Sequence, residues 1–173
     1  MTLERRAAPL EIRAAGRRLV GLAAPIGVEV RIGTVTESIA AGAFAATLAD
    51  GHDVLALADH LPDKLLGRTR SGSLRLSADE RGLRFELDLP ATTLGNDVLA
   101  LAERGDLGGV SIGFRAKDEQ WSGQRRELRA IDLAEVSIIS GFSAYPTEIA
   151  VRNRPPIDDS GRRFRLAMCR WRP

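Results

Sequence analysis

The sequence predicts a mainly β (α+β) fold: a closed or nearly closed antiparallel β-barrel with two or three peripheral helices. Three observations carry this expectation. Stretches of period-two alternation recur along the chain, separated by short turn signals. Only two regions have convincing helical spacing. Antiparallel hairpins outnumber any strand–helix–strand alternation, and closing the sheet would remove its exposed edges.

Taken in order, RRLVGLAAPI (17–26) reads as a strand ending at a proline turn, and VEVRIGTVTES (28–38) as β structure broken at Gly33. The alanine-rich stretch 40–50 changes character, with Phe44 and Leu48 four apart on one helical face. HDVLALAD (52–59) is apolar on both alternating sets, which predicts a strand buried on both sides with His60 delivered at its end. Residues 65–90 alternate Leu74 and Leu76, then Leu83, Phe85, Leu87 and Leu89, against polar neighbours; this is antiparallel β with one wet face. TTLGNDVLALAERGD (92–106) is the clearest helix, with Asn96 as the expected cap, an apolar stripe of Val98, Leu99, Leu101 and Ala102, and Gly105 as the terminator. Strand GGVSIGF follows and runs into a polar loop; residues 124–140 suggest one or two more strands around Asp132. The expected domain is residues 1–154. Residues 155–173, opening on PPIDDSG, form a linker and a basic tail that could be disordered or processed.

The totals exclude several functions. The chain has 173 residues, 44% hydrophobic and 28% charged, enough for one globular core. No apolar run approaches the roughly 18 residues that span a bilayer, and the start of the chain has no apolar signal core, so no membrane role is expected. A lone cysteine, Cys169, fits a reducing cytosol, and with two histidines and no clustered ligands no metal or cofactor is expected. Five arginines and no acidic residue follow Asp159, leaving 20 basic against 23 acidic groups in residues 1–159, a net −3. Nucleic-acid binding is therefore not expected of the body; for the tail it stays open alongside a solvated or removable end.

Gly109-Val-Ser111-Ile-Gly113 matches the G-x-S-x-G pattern, but an α/β-hydrolase requires a histidine after the serine and a strand-turn-helix elbow. Both histidines, His52 and His60, precede Ser111, and no helix follows it. What remains is a serine on a strand with an upstream base. His60, at a strand end, is the better candidate; His52 lies in a DGHD turn. A structural serine and a structural histidine are the plainer alternatives.

Seven pieces in one order, across residues 17–152, give the chain a resemblance to the tailed-phage prohead maturation serine proteases, distantly similar to the herpesvirus capsid-assembly protease. They are Glu37-Ser-Ile-Ala-Ala-Gly-Ala-Phe44, Ala58-Asp-His60, Leu66-Gly-Arg-Thr69 with Ser71-Gly72, Gly82-Leu-Arg-Phe85, Gly105-Asp-Leu-Gly-Gly-Val-Ser-Ile-Gly-Phe114, Leu133-Ala-Glu-Val-Ser137 and Ala144-Tyr-Pro146. The resemblance implies a β-barrel serine endopeptidase with Ser111 as nucleophile and His60 as general base. For the orienting acid we expect Glu135, placed by alternation on one face with Leu133 and Ser137. Gly109, Gly113, Phe114 and Tyr145 are candidate substrate-groove residues, with core packing the competing role for Phe114. The implied substrate is the major capsid protein or its scaffolding segment, with the portal and the protease itself as further candidates and a homo-oligomer left open. The implied location is the immature capsid in the cytoplasm of a bacterial host, whether the source is phage, prophage or gene transfer agent. A non-catalytic scaffold-binding module on the same barrel is the competing function; intact Ser111, His60 and Glu135 weigh against it.

Overall fold

The structure is a computed structural model that describes residues 2–8 and 12–141. It is mainly β, with strands β1 (Glu4–Ala8), β2 (Ile12–Ala15), β3 (Arg18–Pro25), β4 (Val30–Ile32), β5 (Val35–Ile39), β6 (Leu55–Ala58), β7 (Leu61–Arg68), β8 (Leu74–Asp79), β9 (Gly82–Asp88), β10 (Gly109–Ser122) and β11 (Arg125–Ile139). Two helices interrupt them, α1 (Ala45–Ala49) and α2 (Thr93–Arg104). No helix among the described residues is long and apolar enough to cross a membrane.

The expected closed barrel is not found among the described residues. The strands pair into two sheets. One is a four-stranded antiparallel sheet in the order β2-β3-β9-β8. The other has seven strands: the path β1-β10-β11-β5-β4, with β6 also on β11 and β7 on β6. Antiparallel pairing dominates, as expected, but β11 joins both β5 and β6 in parallel. Periodicity reports which face of a strand is buried, not which strands are neighbours, so this arrangement was not visible in the sequence.

One buried cluster unites the sheets. Leu74, Leu83, Phe85 and Leu87 face it from the smaller sheet; Val110, Ile112, Phe114, Leu133, Val136 and Ile138 face it from the larger. Phe44 and Val98 add cover from the two helical regions. The predicted alternation in β8 and β9 is therefore the core-facing stripe, and β6 is buried on both faces through Ala56, Leu57 and Ala58. Helix α2 ends at Gly105 in the left-handed conformation (φ 74°), as expected. Its cap is Thr92, whose hydroxyl accepts from the Gly95 N–H at 3.2 Å, and not Asn96. Asn96 lies inside the helix and its Oδ1 accepts from Arg17.

Three further differences matter. Residues 115–122 continue β10 instead of forming a loop, and residues 125–139 are one strand, so β10 and β11 make a long hairpin closed at Gly123-Gln124. Strands β1 and β2, unforeseen, precede β3. The expected boundary at 154/155, the linker and the basic tail lie outside the described residues, as does Tyr145.

Strand β1 is held at the edge of the larger sheet by ion pairs as well as by its ladder on β10. Arg6 bonds the buried Glu37 of β5 at 2.5 Å, and Arg126 bonds both Glu37 and Glu4. The Arg126 hydrogen bond, ahead of burial that opposes it, holds the Glu4 carboxyl below the usual range. Burial, the largest single influence, would lower the Arg6 pKa, but the hydrogen bonds and charges of Glu37 and Glu4 together raise it. Such pairs are costly to break once desolvated, because each partner leaves the other uncompensated.

Candidate active site

Alternation along β10 sends Val110, Ile112 and Phe114 into the core and leaves Ser111 and Gly113 on the opposite face. On β11, Val136 and Ile138 enter the core, so Glu135 and Ser137 share the face of Ser111. The register pairs Ser111 with Ser137 and Gly113 with Glu135. Leu133, expected on the face of Glu135, is instead in the core opposite Phe114. A β-bulge at Ala134 causes the reversal: one extra residue on β11 between those two pairs flips the alternation and aims Glu135 outward.

The bulge is fixed by side chains rather than by the ladder. The Leu133 N–H donates to the Thr47 hydroxyl at 2.9 Å, and its carbonyl accepts from His52 Nε2 at 2.6 Å. His52 Nδ1 also lies 2.6 Å from the Asp50 carboxylate. The Leu133 carbonyl, then burial in opposition, then Asp50 raise the His52 pKa, because both ring nitrogens meet acceptors and the doubly protonated ring satisfies both. His52 thus serves the backbone that carries Glu135. It also borders a cavity of about 310 Å³ with Thr47, Thr69, Arg70 and Arg75, which Ser111, His60 and Glu135 do not line.

His60 arrives from the tight turn between β6 and β7. Asp59 (φ 51°) and His60 (φ 60°) are both left-handed, the geometry of a two-residue hairpin turn that matches strand twist. Neither is glycine, so the turn needs support. The Asp59 N–H donates to the Ile138 carbonyl at 2.9 Å, and the Asp59 carboxylate accepts from the Ser140 N–H at 2.7 Å and hydroxyl at 3.0 Å. The turn is pinned to the end of β11, and the His60 ring reaches back to it.

There His60 Nδ1 lies 2.5 Å from Glu135 Oε1. A carboxylate accepts, so Nδ1 donates, and in the neutral ring Nε2 then carries the lone pair. The Glu135 side chain is 9% exposed and that of His60 18%, which shields the contact from water. Arg5 Nε, from β1, donates to the same Glu135 oxygen at 3.2 Å. Gly113 makes the arrangement sterically possible: a Cβ there would lie 2.5 Å from Glu135 Cγ and 2.7 Å from Oε1. Its open side is filled by Glu135, and Phe114, fully buried, points the other way beneath the Arg6 guanidinium. Gly109 opens β10 at φ 144°, a conformation that favours glycine.

Ser111 is 1% exposed, and its hydroxyl makes no hydrogen bond among the described residues; the same holds for Ser137. Ser111 is therefore on the sheet face of the His60–Glu135 pair, one strand beyond Glu135, without a bond to His60 in this resting arrangement. Arg68 and Arg115 are turned to Asp53 and Asp132.

Sequence reasoning missed Arg5, Asp59, Ser137 and the work of His52. Asp59 and Ser137 lie within recognised pieces, but nothing in the sequence marks their neighbours; Arg5 had no signal, because β1 itself was not expected.

A family model described as the caudovirus prohead serine protease matches residues 10–159. Neither a curated protein nor a solved structure matches the chain.

Proposed function

Because the chain belongs to the caudovirus prohead serine protease family, a family of serine peptidases, we propose that Ser111 is its nucleophile, His60 the general base and Glu135 the acid that orients the base. The observation that carries this reading is the His60 Nδ1–Glu135 Oε1 contact of 2.5 Å. In the neutral ring it leaves Nε2 free to take a proton, on the sheet face that bears a buried serine hydroxyl with no partner among the described residues.

In this mechanism Ser111 Oγ attacks the peptide carbonyl while its proton passes to His60 Nε2. The Glu135 carboxylate stabilises the imidazolium. His60 then protonates the departing amine, and a water, deprotonated by the same ring, releases the acyl group from Ser111. The Ser111–His60 bond belongs to the reacting arrangement; catalytic hydrogen bonds commonly tighten only with substrate bound.

The substrate we propose is the capsid protein of an assembling prohead, cut to remove its scaffolding segment, with the arginine-rich end of this chain a candidate for self-cleavage. The site of action is then the immature capsid in the host cytoplasm. Co-expression with the full-length major capsid protein of the same particle tests the assignment. The wild type should shorten that protein, and Ser111→Ala and His60→Ala should leave it intact. Equal processing by wild type and Ser111→Ala, or none by the wild type, would overturn it.

A further inference from the structure

Ser111 and Ser137 are the two buried side-chain polar atoms without a hydrogen-bond partner among the described residues. They are not scattered. The register sets them directly opposite each other on β10 and β11, with side chains on one face. Directly opposed residues have Cβ atoms about 4.5–5.5 Å apart, a span that two hydroxyls can close by rotating about χ1. Ser137 is 0% exposed and stands two residues from Glu135 on the same face. The other buried polar side chains are all occupied: Glu37 by Arg6 and Arg126, Thr47 by Leu133, Glu135 by His60 and Arg5.

An orphaned buried hydroxyl lowers stability, and a methyl group in its place would not. A serine at position 137 therefore needs a reason other than packing. We propose that Ser137 is a positioning residue for the nucleophile, an inference that rests on the assignment of Ser111 given above. As Ser111 reacts, the Ser137 hydroxyl donates a hydrogen bond to Ser111 Oγ. This fixes the Ser111 rotamer and offsets the negative charge that develops as its proton leaves. The Ser111 proton goes to His60 Nε2, one electron pair on Ser111 Oγ forms the bond to the carbonyl carbon as the carbonyl π pair moves onto its oxygen, and the Ser137 proton stays on Ser137.

The test compares the rate of labelling by a serine-directed phosphonate with the melting temperature, for the full chain and for Ser137→Ala, Ser137→Thr and Ser111→Ala. Loss of one neutral hydrogen bond to the reacting atom should slow labelling of Ser137→Ala roughly three- to tenfold. Its melting temperature should be unchanged or higher, because an orphaned hydroxyl has been removed. Ser137→Thr, which keeps the hydroxyl, should label faster than Ser137→Ala. Wild-type labelling of Ser137→Ala would overturn the proposal. So would a rate loss accompanied by a lower melting temperature and no rescue by threonine, which marks a structural role. An adduct mapped to Ser137 itself in the wild type would also overturn it. Unchanged labelling of Ser111→Ala would instead remove the assignment on which the inference rests.

Discussion

Replacing Gly113 with alanine perturbs the His60–Glu135 contact without touching either residue. The added Cβ would sit 2.5 Å from Glu135 Cγ. Carbon atoms pack at about 3.5–4.0 Å, so the glutamate must withdraw by about 1 Å. That shift stretches the 2.5 Å contact to His60 beyond about 3.2 Å, where such bonds fade. A charge-assisted hydrogen bond contributes about 1.5–3 kcal/mol. Phosphonate labelling and peptide cleavage should therefore slow by about 10- to 150-fold. Crowding the face should also cost about 1–3 kcal/mol of stability, a drop of several degrees in melting temperature. The double variant Gly113→Ala/Glu135→Ala supplies the control. With the glutamate side chain gone the new methyl has room, so stability should recover while activity stays at the level of Glu135→Ala, a strongly non-additive pair. Full activity and unchanged melting in Gly113→Ala would refute the reasoning, because the carboxylate would then not depend on the space above this glycine.

The remaining predictions concern the supports of the site. Asp59→Ala removes two hydrogen bonds from Ser140 and puts alanine at φ 51°; it should cost about 1–3 kcal/mol in urea titration and slow labelling, whereas Asp59→Asn, which tolerates this conformation and keeps one acceptor, should lose less. His52→Gln should lower the melting temperature most in mild acid. The His52 pKa is raised in the folded state, so its contribution is fully present below an unfolded value of about 6.5 and is lost as pH rises through the folded value; a stability deficit that grows with pH would contradict this. Arg5→Gln removes a half-exposed cation from Glu135, so its stability cost should be under about 1 kcal/mol, and its labelling rate should converge with that of the wild type in high salt, where screening weakens the pair.

The parts of this fold that were legible in the sequence are those where burial follows one rule along a strand or helix. Leu83, Phe85 and Leu87 alternate because one face of β9 meets the core, and Gly105 ends α2 because a left-handed residue is needed there. Strand β1 was invisible because its inward position is an arginine: Arg6 is satisfied by Glu37, and Arg5 on the other face by Glu135. Both faces are charged, and no alternation survives. Residues 115–122 looked like a loop because that part of the β10–β11 hairpin is largely exposed on both faces and selects no apolar stripe. The bulge at Ala134 was hidden in a run of small and apolar residues, so the right face for Glu135 relative to Ser137 was reached with the wrong neighbour in Leu133. Ser111, His60 and Glu135 could be singled out because the recognised pieces carry them and the proposed chemistry needs those residue types. Ser137 and Asp59 could not, because a serine in a strand and an aspartate in a turn are ordinary until their neighbours are known.

The central claim, that one particular hydroxyl attacks the substrate, is tested by finding the atom that a serine-directed phosphonate modifies. Trypsin releases Ser111 in the peptide Gly105–Arg115 and Ser137 in the peptide Ala130–Arg152, so mass spectrometry separates the two. One adduct is expected, in the first peptide, absent from His60→Ala. An adduct anywhere else, or equal modification of Ser111 with His60 replaced, would contradict it.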